Sequence, residues 1–335
     1  MKPRVLGLDI GGANLKAATA EGYAASRPFA LWRYPDRLVS ELLKLLSVCP
    51  QFDRLAVTMT GELCDCFETK SEGVLHILDA IDGVAGGRPI EVWTIDGSFV
   101  PIAAARKDPL RAAASNWLAL ASYCGRLSPI GLTLLIDIGS TTCDLIPIQD
   151  GIPIATGRTD TERLESGELV YTGVRRTPLC SLLGSAFAAE FFATTHDVYL
   201  YLEMVPEEPD EVDTADGRPA TRPFAAGRLA RMACADRDTF PRERIVEMAQ
   251  LAFVNQRRII SQALERVVAR QPGPPACIVT AGTGEFLANA VIAGSSILAH
   301  VPRVSLSSRI GSTVSAAAPA FAVAVLLAEL RESLP

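Results

Sequence analysis

Two short segments of this 335-residue chain carry the same chemistry. In the first, Leu8-Asp9-Ile10-Gly11 leads into Gly12, Ala13 and Asn14, with Lys16 just beyond. In the second, Ile136-Asp137-Ile138-Gly139 leads into Ser140, Thr141 and Thr142. Each is an apolar strand closing on an aspartate, followed by a glycine turn and small hydroxyl or amide residues. Backbone N–H groups of such a turn point at a concave spot and can hold phosphate oxygens. The aspartate at the strand end is placed to hold Mg²⁺ through water. Asp9 and Asp137 are therefore the expected metal ligands. Gly11, Gly12, Asn14, Gly139, Ser140, Thr141 and Thr142 are the expected phosphate donors. Lys16 either adds a positive charge there or is an exposed strand lysine. A single turn of this kind is explained by a hairpin that needs glycine; two copies 128 residues apart point to a polyphosphate gripped from both sides.

A third segment, Val279-Thr280-Ala281-Gly282-Thr283-Gly284-Glu285, reads as a strand and a glycine turn opening a helix. Gly282, Thr283 and Gly284 are expected to contact ATP, another nucleotide or an anion. The alternative is an ordinary strand-to-helix turn.

The elements that position these turns follow from the apolar pattern. Both aspartate turns sit in hairpins. Helical spacing covers 36–46, 73–81, 109–123 and 242–270, and apolar runs predict strands over 54–58, 90–95 and 276–280. The return of the opening pattern half a chain later is a domain-scale duplication. It gives an α/β fold with an N-terminal lobe over 1–128 and a C-terminal lobe over 129–335. The second lobe carries an inserted acidic loop and helical segment near 205–270. Residues 206–219 are acidic and Pro-rich, hence a loop. Asp210, Asp213 and Asp216 lack the ligand order of a calcium loop, so they read as a solvated acidic lid.

Composition narrows the function classes. Hydrophobic residues make up 49% and charged residues 21%, enough for a folded core and against disorder. A net charge of −6 with no basic block argues against nucleic acid or an anionic membrane surface as partner. The apolar stretch 314–328 is too short for a membrane span, which needs ~20 residues, and reads as a buried helix. The Met-Lys-Pro-Arg start lacks a signal-peptide pattern, so a cytoplasmic enzyme is expected. The eight cysteines form no disulfide framework, and Cys64-x-Cys66 is tighter than usual metal-ligand spacing. Cys143, in the second turn, reads as a thiol open to oxidation that need not be catalytic. Monomer and homodimer both stay open.

The three turns, in this order, resemble the phosphate-1, phosphate-2 and adenosine motifs of the sugar kinase, actin and heat-shock chaperone superfamily. That resemblance implies two ribonuclease-H-like lobes with a hinged cleft. Longer segments narrow it: Thr58-Met59-Thr60-Gly61-Glu62-Leu63-Cys64-Asp65-Cys66-Phe67 with Glu72-Gly73-Val74, Ala114-Ser115-Asn116-Trp117, 168–178 and 213–219. These look like the hydantoinase/oxoprolinase-related proteins found with tetrahydromethanopterin-linked one-carbon metabolism. The archaeal members imply a magnesium-dependent transferase of methanofuran biosynthesis. It would join an (aminomethyl)furan-methyl diphosphate to the phenol oxygen of a γ-glutamyltyramine-like acceptor. The runner-up is an ATP-dependent small-molecule kinase or a cyclic-amide hydrolase. For the transferase, the phenol, with a pKa near ~10, needs a base, and Glu62, Asp65 and Asp144 are the candidates. Arg175 and Arg176 either grip a substrate carboxylate or phosphate or form a surface pair before Pro178.

Overall fold

A computed structural model describes residues 4–332. The chain divides into two compact units. The first takes Met1–Leu135, Ile146–Glu162 and Val304–Pro335, and the second takes Ile136–Leu145 and Arg163–Arg303. This differs from a single cut after residue 128, because the C-terminal segment joins the first unit.

The first sheet contains β1 (Val5–Ile10), β2 (Asn14–Thr19), β3 (Ala24–Pro28), β4 (Arg54–Met59), β5 (Ile90–Trp93) and β6 (Phe99–Pro101), in the order β3-β2-β1-β4-β5-β6. Strands β1, β2 and β3 pair antiparallel, whereas β4 joins β1 and β5 joins β4 in parallel. The central strand β1 is buried at every position, as its unbroken apolar run requires. Helices α1 (Leu38–Ser47), α2 (Lys70–Ala85), α3 (Ile102–Lys107) and α4 (Asn116–Cys124) belong to the same unit. Helix α2 starts at Thr69, whose hydroxyl accepts from the Glu72 N–H at 3.1 Å. It stops at Gly86, which adopts the left-handed conformation at φ 60°.

The second sheet contains β7 (Leu132–Ile138), β8 (Cys143–Gln149), β9 (Ile152–Pro153), β10 (Leu169–Val170), β11 (Cys277–Ala281) and β12 (Arg303–Ser305). Its order is β10-β8-β7-β11-β12, with β9 added beside β8. Its run β8-β7-β11-β12 repeats the run β2-β1-β4-β5 of the first sheet, whereas β10 flanks β8 where β3 flanks β2 and β6 has no counterpart. Helices α5 (Asp160–Ser166), α6 (Thr195–Tyr201), α7 (Arg222–Met232), α8 (Arg242–Ala269) and α9 (Glu285–Ala293) follow. Of these, α6, α7 and α8 fill the stretch between β10 and β11, together with the acidic loop. Helix α6 carries a capping box between Thr194 and Asp197.

The chain ends with α10 (Leu306–Ile310), α11 (Ser312–Ser315) and α12 (Ala318–Glu332). Helix α12 lies against β1, and a Cβ on Gly7 would overlap the carbonyl oxygen of Ala320. Glycine at position 7 is what lets helix and strand backbones approach so closely. The Ala-rich segment is thus a core helix, and among the described residues no helix is long and apolar enough to cross a membrane.

One expected helix is broken. The spacing predicts a helix over 109–123, but a 3₁₀ turn at Pro109–Arg111 gives way to Ala114 at φ 46° before α4 begins. The buried Ser115 hydroxyl bonds the Trp93 carbonyl at 3.1 Å and meets Thr58 Oγ1 at 3.1 Å. Those bonds tie the segment down to β4 and β5 and override its helical preference.

Candidate active site

The first aspartate turn is closed by the Gly11 N–H donating to the Asn14 carbonyl at 3.0 Å, and the second by Gly139 donating to Thr142 at 2.9 Å. The N–H groups of Gly11 and Gly139 are therefore engaged in shaping the turns. Among the described residues no acceptor takes the N–H groups of Gly12 and Ala13, or of Ser140 and Thr141. These are the groups the two turns present.

Asp9 sits inside the β1 ladder, in register with Lys16 and Thr58, and is 3% exposed. Its Oδ2 faces Lys16 Nζ at 3.8 Å, while its Oδ1 is buried with no hydrogen-bond partner among the described residues. Burial pushes the Asp9 carboxyl up, and Lys16 opposes that shift. Lys16 is thus oriented onto Asp9, a reading between the two expected from sequence.

The turn after β4 packs onto this first turn. The N–H groups of Thr60 and Gly61 both donate to the Ile10 carbonyl at 2.9 Å. A side chain on Gly61 would crowd Gly11 and Ile10, and one on Gly12 would meet Cys64 Sγ. Next in the chain, Glu62 is 1% exposed, and α2 crosses it so closely that a Cβ on Gly73 would overlap the Glu62 backbone. Burial raises the Glu62 carboxyl to about 7, with Asp160 adding to the shift and the Ala114 amide and Lys70 opposing it. Its Oε2 is buried with no hydrogen-bond partner among the described residues. The positive φ of Ala114 is backbone strain placed beside this carboxyl, as strained residues at functional sites tend to be. Glu62 is a candidate base whose protonation changes near neutral pH.

The other two stand differently. Asp65 is exposed. Asp144 is buried and ion-paired with Arg163, itself only 2% exposed. A carboxylate tied to a buried guanidinium is a poor proton acceptor, so Asp144 holds structure rather than a proton. Arg163 was not legible in the sequence, because its partner Asp144 lies 19 residues away on another element. Cys143, next to Asp144, is fully buried and its thiol is pushed well up by that burial, which makes it inert as a nucleophile.

In the second unit the structure brings the phosphate-2 turn and the third turn together. The Gly284 N–H donates to the Ile138 carbonyl at 2.8 Å. Gly282 has φ 81°, and a Cβ there would overlap the Asp137 carboxylate and the Ile138 carbonyl. From the other side, Val174 N–H bonds the Gly139 carbonyl at 3.0 Å, and the N–H groups of Arg175 and Arg176 bond the Ser140 carbonyl at 2.9 and 3.0 Å. Gly173 lies so near the Ser140–Thr141 peptide that a Cβ would come within 2.5 Å of it. Behind Gly173 stands a buried network: Gln256 donates to the Gly173 carbonyl at 2.8 Å and to Thr172 Oγ1 at 2.9 Å, and it also meets the Tyr199 hydroxyl. Burial raises the Tyr199 phenol, keeping it neutral.

The side chains of Arg175 and Arg176 pair with the acidic loop. Arg175 reaches Glu208 at 2.6 Å and Arg176 reaches Asp213 at 3.6 Å. Arg175 also lies 3.3 Å from His196 Nε2. His196 is lowered to about 4 by burial and then by Arg175, so its ring is neutral. The acidic loop is anchored, not a free lid: fully buried Arg228 binds Asp197 at 2.7 Å and Asp216 at 2.9 Å, and Arg231 binds Asp216 at 3.0 Å. Neither His196 nor Arg228 carried a sequence signal, since each lacks a motif partner nearby in the chain. Among the described residues no three His, Cys, Asp or Glu side chains converge to cage a metal.

Two ribonuclease-H-like sheets that share a four-strand order, each with a glycine turn after its first strand, define the α/β actin-like ATPase fold class. A nucleotide-free acetone carboxylase structure shares the fold at a TM-score of 0.52 and 9% identity, over 97% of this chain and 70% of that one. The hydantoinase/oxoprolinase family model matches residues 53–330, and the chain belongs to that family. It is 34% identical, over 98% of both chains, to the Methanocaldococcus jannaschii protein named (4-{4-[2-(gamma-L-glutamylamino)ethyl]phenoxymethyl}furan-2-yl)methanamine synthase. A Methanococcus vannielii protein of the same name is 33% identical over 58% of this chain and 90% of its own. The chain is accordingly an enzyme related to these synthases.

Proposed function

We propose that this enzyme forms the aryl ether that the relatives' name describes. It would join an (aminomethyl)furan-methyl diphosphate to the phenol oxygen of a γ-glutamyltyramine-like acceptor. The bond from the methylene carbon to the diphosphate oxygen breaks, and its electron pair leaves on diphosphate. The phenol oxygen bonds to that carbon, and the phenol proton passes to Glu62. The furan ring stabilises positive charge on the methylene, so the protein's main task is to help the diphosphate leave and to accept one proton.

In the first unit the turn N–H groups of residues 12–13, with Lys16 adding positive charge, offer donors for diphosphate oxygens, and in the second unit those of residues 140–141 are donors of the same kind. Asp9 and Asp137, each within its own unit, offer hard carboxylate oxygens of the kind Mg²⁺ takes, and Asp9 Oδ1 is a buried atom without a hydrogen-bond partner among the described residues. When bound, the ion would neutralise charge on the departing diphosphate. The observation that carries the reading is the likeness to the Methanocaldococcus jannaschii synthase over 98% of both chains. Glu62, poised near 7 beside the first turn, supplies the base such a reaction needs.

The test incubates the purified chain with Mg²⁺, the furan-methyl diphosphate and γ-glutamyltyramine. Diphosphate release that requires the phenol, with the ether seen by mass spectrometry, is the expected result. ADP release from ATP that depends on a small acceptor, with no ether formed, would replace this reading with a kinase or cyclic-amide hydrolase.

A further inference from the structure

The relatives' name contains a glutamyl group joined through its γ-carbonyl, which leaves an α-ammonium and an α-carboxylate free at the far end of the acceptor. Recognition of such a head requires a cation and an anion side by side. On the reading above, we infer that Arg175 and Glu208 form the subsite for this zwitterionic α-amino acid head, the guanidinium taking its carboxylate and the glutamate its ammonium.

Four observations support it. Arg175 and Glu208 are paired at 2.6 Å, with their side chains 33% and 41% exposed, so both charges remain reachable. By contrast the structural arginines Arg163 and Arg228 are fully buried with their partners. Glu208 stands in the acidic run with Asp210 and Glu211, whose negative charge suits an ammonium. The loop bearing it is held by built contacts, including Glu208 N–H to the Ala220 carbonyl at 2.9 Å and Asp216 on Arg228. Finally, Arg175 is fixed by its own N–H to Ser140 in the phosphate-2 turn, which ties head recognition to the turn assigned to the diphosphate. The internal pair holds the two groups apposed until the ligand's own pair replaces it, each side exchanging one charge-assisted bond for another. The neutral His196 beside Arg175 adds no competing charge.

The experiment measures binding, by titration calorimetry on the full chain. The ligands are γ-glutamyltyramine, tyramine, the α-carboxamide analogue, which lacks the carboxylate, and the N-acetyl analogue, which lacks the ammonium. Wild type should prefer γ-glutamyltyramine over each of the others by about tenfold or more, the size of a charge-assisted bond. Arg175→Gln should erase the preference over the carboxamide, and Glu208→Gln the preference over the N-acetyl compound. Equal wild-type affinity for all four ligands overturns the inference, as does a variant that weakens all four alike. Should a variant fail to fold, the wild-type ligand series decides alone. Because binding is read and not turnover, the two proposals separate. Head-group preference without ether formation sinks the reaction and leaves the subsite, whereas ether formation with no preference does the reverse.

Discussion

Arg163 and Asp144 form an ion pair inside the second unit, the guanidinium 2% and the carboxylate 11% exposed. Asp144 lies on β8 directly after the phosphate-2 turn, so the pair braces the strand on which that turn is mounted. Removing one partner takes the balancing charge away from the other, still buried group, which costs about 3–5 kcal/mol. Arg163→Met and Asp144→Asn should each lower the melting temperature by roughly 10 °C, at about 2–4 °C per kcal/mol for a chain this size. Differential scanning calorimetry checks this. The pH profile of whatever activity remains should keep the wild-type inflection, since neither residue is the proposed base.

Glu62 is where pH should act. Its folded pKa is raised to about 7, above the ordinary value of 4.5, first by burial. A raised carboxyl contributes stability that is fully present below the unfolded pKa and is lost as pH rises through the folded one. The window is therefore about pH 4.5 to 7, and the loss is on the order of 3 kcal/mol. Glu62→Gln should remove this slope, so the variant gains on wild type in chemical denaturation between pH 5 and pH 8, taken as roughly the span of the titration. As the proposed base, wild type should show kcat/KM rising with pH and levelling above about 7, and the variant should lose activity by roughly 10²-fold or more with no such inflection. A variant that kept both rate and inflection would remove Glu62 from the chemistry.

What the sequence made legible was whatever lies close together along the chain. The hairpins around Gly11 and Gly139 stood out because apolar runs flank them, and a shared four-strand order followed. Helix α8 was plain from its spacing. Hidden features depend on distant partners. Arg163 and Arg228 look like surface arginines until Asp144, Asp197 and Asp216 fold onto them. Ala114 sits in an Ala-rich run that favours helix, and only the bonds of Ser115 to Trp93 and Thr58 show why the run breaks. The return of α12 to β1 could not be seen from Gly7, whose absent side chain gives no sign of what it makes room for. The third turn was visible, yet its closeness to Asp137 was not.

Gly173 tests whether the phosphate-2 turn must keep its shape. A methyl group there would press into the Ser140–Thr141 peptide, which is backbone and has little room to give. Gly173→Ala should weaken binding of inorganic diphosphate by about tenfold and destabilise the chain by roughly 1–3 kcal/mol. Gly184→Ala is the matched control, since nothing lies within 4 Å of the Cβ it would add. Calorimetric titration of diphosphate into both variants distinguishes a moved turn from a general effect of added alanine.

Asp9 carries the sharpest consequence for magnesium. Burial raises its carboxyl, so the ionised form costs stability at neutral pH; that contribution is present below the unfolded pKa and declines as pH rises through the folded one. Lys16 at 3.8 Å offsets part of this cost, and a divalent ion on Oδ1 would offset more. Asp9→Asn should therefore leave the magnesium-free chain at least as stable at pH 8 as wild type, because an amide in place of the carboxylate avoids the buried charge. Wild type, with saturating Mg²⁺ and diphosphate, should gain about 2–4 kcal/mol at ligand 100 to 1,000 times its dissociation constant. The variant should lose most of that gain. Thermal melts with and without Mg²⁺ read both effects at once, and an unchanged magnesium response in the variant would take Asp9 out of the metal site, leaving its charge to be answered by Lys16 alone.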